Sequence, residues 1–182
     1  MTGQTKSPEC GSGQQENETA SINYTSDGSA KPPIRFSFGK SKCDNQPEQM
    51  ELPETEFMDF VRQRRGTQKG GDYICGPMKL GPHNDPRKYP WDARYRLKSH
   101  ALPCRFFSLD FDAIPVELFE PLICELEKFN GCAWTTASHT DEAPRLRAIL
   151  IADREMSRDE RIRASEALER QLVELVSQGD SK

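Results

Sequence analysis

The chain has 182 residues, of which 35% are apolar, 8% aromatic and 30% charged, and its formal net charge is -4. This length suits one folded domain with some disordered sequence and leaves little room for two full domains. No apolar run approaches the ~18 residues of a membrane span, and the N-terminus lacks an apolar export segment, so we expect a cytoplasmic protein with no membrane partner.

The chain begins with a polar segment. Residues 1–31 are rich in Gly, Ser, Thr, Gln, Asn and Glu and contain almost no large apolar side chain. Such a segment cannot bury enough apolar surface to offset the entropy that is lost on ordering. We therefore predict that residues 1–31 form a disordered polar tail.

Residues 32–103 are predicted to form a basic accessory region built from short elements. Alternating apolar and polar residues predict a strand at 34–38, and the spacing of apolar residues predicts a helix at 54–65. A short strand is predicted at 73–75. Residues 81–99 are rich in Pro, Asp, Asn and Lys, which is typical of a long surface connection.

Positive charge is concentrated in this region, because residues 56–103 carry ten basic and five acidic side chains. Five of the basic residues are interleaved with the aromatic residues Tyr89, Trp91 and Tyr95. These five are Arg87, Lys88, Arg94, Arg96 and Lys98. Cations mixed with aromatic rings suit nucleic-acid binding, in which phosphates are neutralised and bases stack. A solvated basic loop without a ligand is the alternative.

The final third of the chain has the most regular pattern. Its predicted elements are, in order, strand 104–109, helix 115–129, strand 132–136, strand 145–151 and helix 157–176. Ser157 and Glu160 have the spacing of a capping box at the start of the last helix. The order β-α-β-β-α predicts an α+β fold with a ferredoxin-like or RRM-like unit that lacks its last strand.

Two carboxylates end the first strand of this unit. Asp110 and Asp112 are two residues apart and therefore share one face of the strand. Neighbouring carboxylates repel each other unless a cation lies between them, and Mg²⁺ prefers hard oxygen ligands of this kind. Divalent ions held by carboxylates are the usual machinery of phosphoryl and nucleotidyl transfer. The alternative is that Asp112 caps the following helix and Asp110 is a solvated strand end.

Donor side chains follow in the next part of the chain. His139 is predicted to lie at the sheet edge near the carboxylates, where it could donate to a triphosphate oxygen with help from the Ser138 hydroxyl. Arg145 and Arg147 share a strand face, and arginine binds phosphate in a bidentate fork. The alternatives are an exposed loop histidine and the solvent side of an amphipathic strand.

These segments resemble the catalytic core of the archaeo-eukaryotic primase superfamily, which includes the primase-polymerases. Residues 106–112 (FFSLDFD) look like its apolar-Asp-apolar-Asp strand end. Residues 135–140 (TTASHT), followed by 144–147 (PRLR), are similar to its Ser-x-His-like segment as found in phage and plasmid replication proteins. Residues 34–47 also look like the N-terminal part of such mobile-element replication proteins.

The resemblance implies template-directed nucleotidyl transfer in the DNA replication of a mobile element. It implies that Asp110 and Asp112 hold Mg²⁺ or Mn²⁺ and that these two residues and His139 are catalytic. Ser138 and His139, with the two arginines Arg145 and Arg147, would bind the incoming nucleoside triphosphate. The implied partners are a DNA template and primer, nucleoside triphosphates, and a replication helicase or the remainder of a longer protein.

The chain departs from the family pattern in one respect. A third acidic motif would lie on a strand after the long helix, and Asp153, the nearest internal substitute, precedes that helix. Residues 104–182 are therefore predicted to be an incomplete primase-polymerase palm with little or no activity alone. Two other functions stay open: a non-catalytic nucleic-acid-binding replication accessory module, and a metal-dependent phosphohydrolase that uses the same carboxylates.

Overall fold

The structure is a computed structural model that describes residues 31–63, 71–112 and 114–179. The predicted disordered tail, apart from Lys31, lies outside the described residues, as do the last two residues of the helix predicted at 54–65. Within the three described ranges, every helix is too short or too polar to cross a membrane.

The described residues form a mixed α+β fold with two small antiparallel sheets and three helices, which confirms the α+β part of the predicted fold. The strand order is β2-β1-β3 in the first sheet and β4-β6-β5 in the second. In chain order the elements are β1 (Ile34–Gly39), β2 (Glu48–Leu52), α1 (Glu54–Gln63), β3 (Tyr73–Cys75), β4 (Cys104–Phe111), α2 (Val116–Leu126), β5 (Gly131–Thr135), β6 (Leu146–Met156) and α3 (Arg158–Gly179).

The first sheet and α1 pack as one unit against the second sheet. Phe36 in the central strand β1 and Phe57 in α1 are fully buried, and their rings meet edge-on with centroids 5.0 Å apart. The Phe57 ring also lies 5.1 Å from the ring of Phe106 in β4. Burying an aromatic side chain of this kind contributes about 1.5–3 kcal/mol. The two sheets are therefore joined by a shared apolar core.

The second sheet has its two faces covered to different extents. On one face, Leu109 and Leu146 pack against Leu122 of α2 and Leu172 of α3. Because successive strand residues point to opposite faces, Asp110 and its alternate neighbours in β4 face the other way. The first sheet and α1 cover only part of that second face, so the polar end of β4 is left open to a cleft.

The central strand β6 is longer than the sequence predicts. It runs to Met156, which pairs with Cys104 at the far end of β4. The apolar alternation ends at Ile151, where the register shifts, and pairing with β4 resumes at the buried Met156. Asp153 therefore lies inside β6, and the prediction that it follows the strand is wrong.

The predicted capping box at the start of α3 is confirmed. The Ser157 N–H donates to Glu160 Oε2 at 2.8 Å, and the Glu160 N–H donates to Ser157 Oγ at 3.3 Å. The hydrogen bond from the Ser157 backbone, assisted by Arg154, lowers the pKa of Glu160 to about 2. The Glu160 carboxylate is therefore ionised at neutral pH and fixes the first turn of the helix.

Candidate functional site

A cleft of about 610 Å³ lies between the two sheets, over the open face of the second sheet. Six residues that the sequence analysis singled out line it: Arg96, Asp110, Asp112, Ser138, Arg145 and Arg147. The cleft is formed by the ends of β4, β5 and β6 on one side and by residues next to β1 and β3 on the other. The two carboxylates and the two arginines that the sequence analysis selected therefore line the same cleft.

The register of the second sheet arranges these side chains in rows. Asp110 of β4 is paired with Arg147 of the central strand β6, and Arg147 is paired with Trp134 of β5. Residues opposite each other in an antiparallel pair project on the same face. The first row across the sheet therefore places a carboxylate, a guanidinium and an indole side by side.

A second row lies one step further along the strands. Arg145 Nη1 lies 3.2 Å from Asp112 Oδ1, and the Thr136 N–H donates to the backbone carbonyl of Arg145 at 3.3 Å. The Thr136 hydroxyl is buried and has no hydrogen-bond partner among the described residues. Because this hydroxyl has no partner, rotation of the Thr136 side chain towards the cleft would break no hydrogen bond.

Both carboxylates are held by arginines. Arg147 Nη2 lies 2.5 Å from Asp110 Oδ2, and the side chains of this pair and of the Arg145–Asp112 pair are 40–66% exposed. Exposed ion pairs of this kind contribute about 0–1 kcal/mol each. A ligand that offers phosphate to the guanidinium groups and a cation to the carboxylates could therefore replace them at small cost.

The backbone of Asp110 is fixed from the other side of the sheet. Its N–H points to the free edge of β4 and donates to Glu169 Oε1 of α3 at 2.8 Å. A carboxylate that accepts this bond satisfies a strand-edge donor that would otherwise be solvated. The sequence analysis missed Glu169, because the helical pattern gives no sign of which residue faces a strand edge.

His139 is not among the residues that line the cleft. Its ring packs against Phe119 of α2, with centroids 5.3 Å apart, and its Nδ1 accepts the backbone N–H of Arg145 at 3.2 Å. Ser138 therefore lines the same cleft as the carboxylates, whereas the His139 ring packs against α2. There it supports the backbone of an arginine of the site.

The opposite wall of the cleft combines Arg96, which the sequence analysis named, with residues that it missed. The guanidinium of Arg96 lies over the ring of Tyr73, 4.3 Å from its centroid, and donates to the Lys42 carbonyl at 2.9 Å. Burial raises the pKa of Tyr73 to about 12, so its phenol stays neutral and donates to the Asp44 carbonyl. Gly39 permits this arrangement, since a Cβ there would lie 2.1 Å from the Tyr73 ring.

The five predicted nucleic-acid-binding residues are all exposed, but only Arg96 lines the cleft. Two of the three aromatic residues between them do not share this exposure. Tyr95 is fully buried, and Tyr89 packs against His83 with ring centroids 4.2 Å apart. Of the three interleaved aromatic side chains, Trp91 is the one that is largely exposed, at 59%.

Comparisons with protein-family models, with curated proteins and with solved structures gave no match to this chain. Within the part of the chain that the structure describes, no group of three or more His, Cys, Asp and Glu side chains is arranged to hold a metal ion. Conclusions about function therefore depend on the two carboxylate–arginine rows and on the cleft around them.

Proposed function

We propose that this cleft binds a nucleoside triphosphate with Mg²⁺ or Mn²⁺, and that the chain is a primase-polymerase-like replication protein that works by nucleotidyl transfer. The observation that carries the proposal is the pairing of Asp110 with Arg147 and of Asp112 with Arg145 on the open face of the sheet. The order β4-β6-β5, with α2 and α3 on one face, supports a ferredoxin-like palm, of which it supplies three of the usual four strands.

The donor set suits a magnesium ion that arrives with its substrate. Mg²⁺ is commonly held by one or two carboxylates together with substrate phosphates and water, and a full protein cage is unusual. Asp110 and Asp112 supply two exposed carboxylates on one face. When bound, the cation would neutralise phosphate charge and activate the attacking hydroxyl.

The chain's own residues would bind and orient the triphosphate. Arg145 and Arg147 would turn from the carboxylates to the phosphates, where each can form a bidentate pair. The unpartnered Thr136 hydroxyl and the Ser138 hydroxyl lie in the same wall and can donate to phosphate oxygens. The indole of Trp134, beside Arg147, offers a surface on which the base can stack.

The first prediction tests the arginines. Trp91 and Trp134 are the two tryptophans of the chain, so Trp91→Phe leaves the cleft indole as the single tryptophan. Titration of this protein with Mg·dATP is expected to give a saturable change in tryptophan fluorescence. R145Q/R147Q is expected to weaken the affinity by at least about tenfold, because two charge-assisted phosphate contacts are lost.

The matched control is R154Q/R158Q, which removes two arginines that are ion-paired outside the cleft. Its affinity for Mg·dATP is expected to equal that of the parent protein. Equal losses in the two double variants, or no saturable signal in the parent protein, would contradict the proposal.

A second candidate function is a non-catalytic nucleic-acid-binding replication module. It is favoured by the exposure of all five cations of the 81–98 loop. This function predicts strand binding that is independent of metal and that survives Asp110→Ala, together with no response to Mg·dATP in the cleft.

A further inference from the structure

We infer that the loop of residues 81–98 is a docking surface for single-stranded nucleic acid, with Trp91 as its base-stacking ring. The neighbouring cations Arg87, Lys88 and Arg94 would contact the phosphates. The inference deepens the proposed function, because it names the strand on which nucleotidyl transfer would act. It rests on three observations: the loop has an internal core, one large ring lies outside that core, and the cations are not neutralised.

The loop is held in one conformation by its own side chains. Gly81 and Ala93 exchange two backbone hydrogen bonds of 3.1 Å, and the fully buried Tyr95 packs edge-on to both His83 and Tyr89. The Tyr95 hydroxyl donates to the Trp91 carbonyl at 2.9 Å and so fixes the backbone of that residue. A surface that is ordered before binding loses less conformational entropy when a ligand arrives.

Trp91 is the exception to this inward packing. The rings of His83, Tyr89 and Tyr95 form the core of the loop, whereas the Trp91 side chain is 59% exposed. The indole of Trp91 is the largest ring among the exposed apolar side chains of the described residues. Proteins that bind single strands use such rings as platforms on which unpaired bases stack.

The cations around Trp91 have no acidic partner. Among the residues that the structure describes, Arg87, Lys88 and Arg94 take part in no ion pair, whereas Arg145 and Arg147 of β6 are both paired with aspartates. The nearby carboxylate of Asp85 accepts the backbone N–H groups of Arg87 and Lys88 and forms no ion pair with their side chains. Unneutralised cations of this kind release counterions when they meet a polyanion, which drives binding.

The exposed indole together with the unpaired cations favours a single strand over a duplex or an acidic protein. A duplex keeps its bases stacked inside and does not offer their faces to an exposed indole, and neither an acidic peptide nor an anionic polysaccharide carries a regular series of aromatic bases beside its charges. A single strand can stack its unpaired bases on the indole and place its phosphates beside the cations.

The experiment measures the anisotropy of a labelled oligo-dT of about 20 nucleotides with the full chain, without metal or nucleotide. R87E/R94E is expected to weaken binding by at least about tenfold, and R163E/R170E, which reverses two exposed arginines of α3, by less than about threefold. W91A is expected to weaken oligo-dT binding by about tenfold but to leave heparin binding unchanged.

A second readout does not depend on the folding of W91A. In Trp134→Phe, Trp91 is the single tryptophan, and its fluorescence is expected to be quenched by oligo-dT and not by heparin. Equal losses in the two charge-reversal variants, equal effects of W91A on oligo-dT and heparin, or no quenching would overturn the inference. The oligo-dT experiment contains neither metal nor nucleotide, so it does not depend on the cleft. If the oligo-dT results contradict the inference while Mg·dATP binding is intact, the loop assignment alone is overturned. If the oligo-dT results are as expected but Mg·dATP does not bind, the proposed function alone is overturned.

Discussion

Replacing Asp110 and Asp112 together with asparagine is expected to change triphosphate binding in two opposite ways. Without metal, the variant should bind dATP more tightly than the parent protein, because Arg145 and Arg147 no longer have carboxylate partners and the cleft has lost two negative charges. Each exposed ion pair contributes up to ~1 kcal/mol, so the gain should be about tenfold. With Mg²⁺ present, the parent protein should gain affinity and the variant should not.

The measurement is a calorimetric titration of both proteins with dATP, with and without Mg²⁺. D141N/E142Q removes the same charge from the exposed hairpin turn before β6 and serves as the matched control. It should keep the metal dependence of the parent protein. If D110N/D112N and the control respond alike to Mg²⁺, the carboxylates do not hold the cation.

Replacing Glu54 with alanine is expected to lower the free energy of unfolding by about 3 kcal/mol, because it leaves a buried guanidinium without its counter-charge. Arg105 in β4 is 4% exposed, and its Nη2 lies 3.0 Å from Glu54 Oε2. The other Arg105 donors reach the carbonyls of Pro32 and Ala152. This one side chain therefore connects the start of β1, the start of α1 and strand β6.

Urea unfolding monitored by circular dichroism measures this loss. Glu56→Ala, at an exposed position in the same helical turn, should change stability by less than about 0.5 kcal/mol. The double variant E54L/R105M should recover part of the loss, because an apolar pair of similar volume carries no desolvation penalty. A loss in E54A no larger than that in E56A would show that the Arg105–Glu54 pair does not join the two sheets.

Local sequence pattern was sufficient to predict the elements that have their own periodicity. The strand at Ile34–Phe38, the helix that begins at Glu54 and the capping box at Ser157 all lie where the sequence indicates. The strand β2 and the last residues of β6 were not predicted. Their polar sequences have no alternation. β2 is a strand because it pairs with β1, and β6 continues beyond Ile151 because pairing with β4 resumes at Met156.

The candidate site was predictable only where it depends on strand geometry. Because side chains two residues apart share a face, the spacing of Asp110 and Asp112 and of Arg145 and Arg147 was enough to place each pair. The contact of His139 with Phe119 depends on how α2 packs, and the wall formed by Tyr73 depends on how the first sheet docks. No local pattern reports such long-range packing.

The most direct test of the proposed site is crystallographic. A crystal of the protein with Mn²⁺ and a non-hydrolysable nucleoside triphosphate, measured at the manganese absorption edge, locates the cation without reference to activity. We predict an anomalous peak beside the carboxylates of Asp110 and Asp112, with the phosphates in contact with Arg145 and Arg147. A peak elsewhere, with both aspartate–arginine pairs still intact beside a bound triphosphate, would contradict the account.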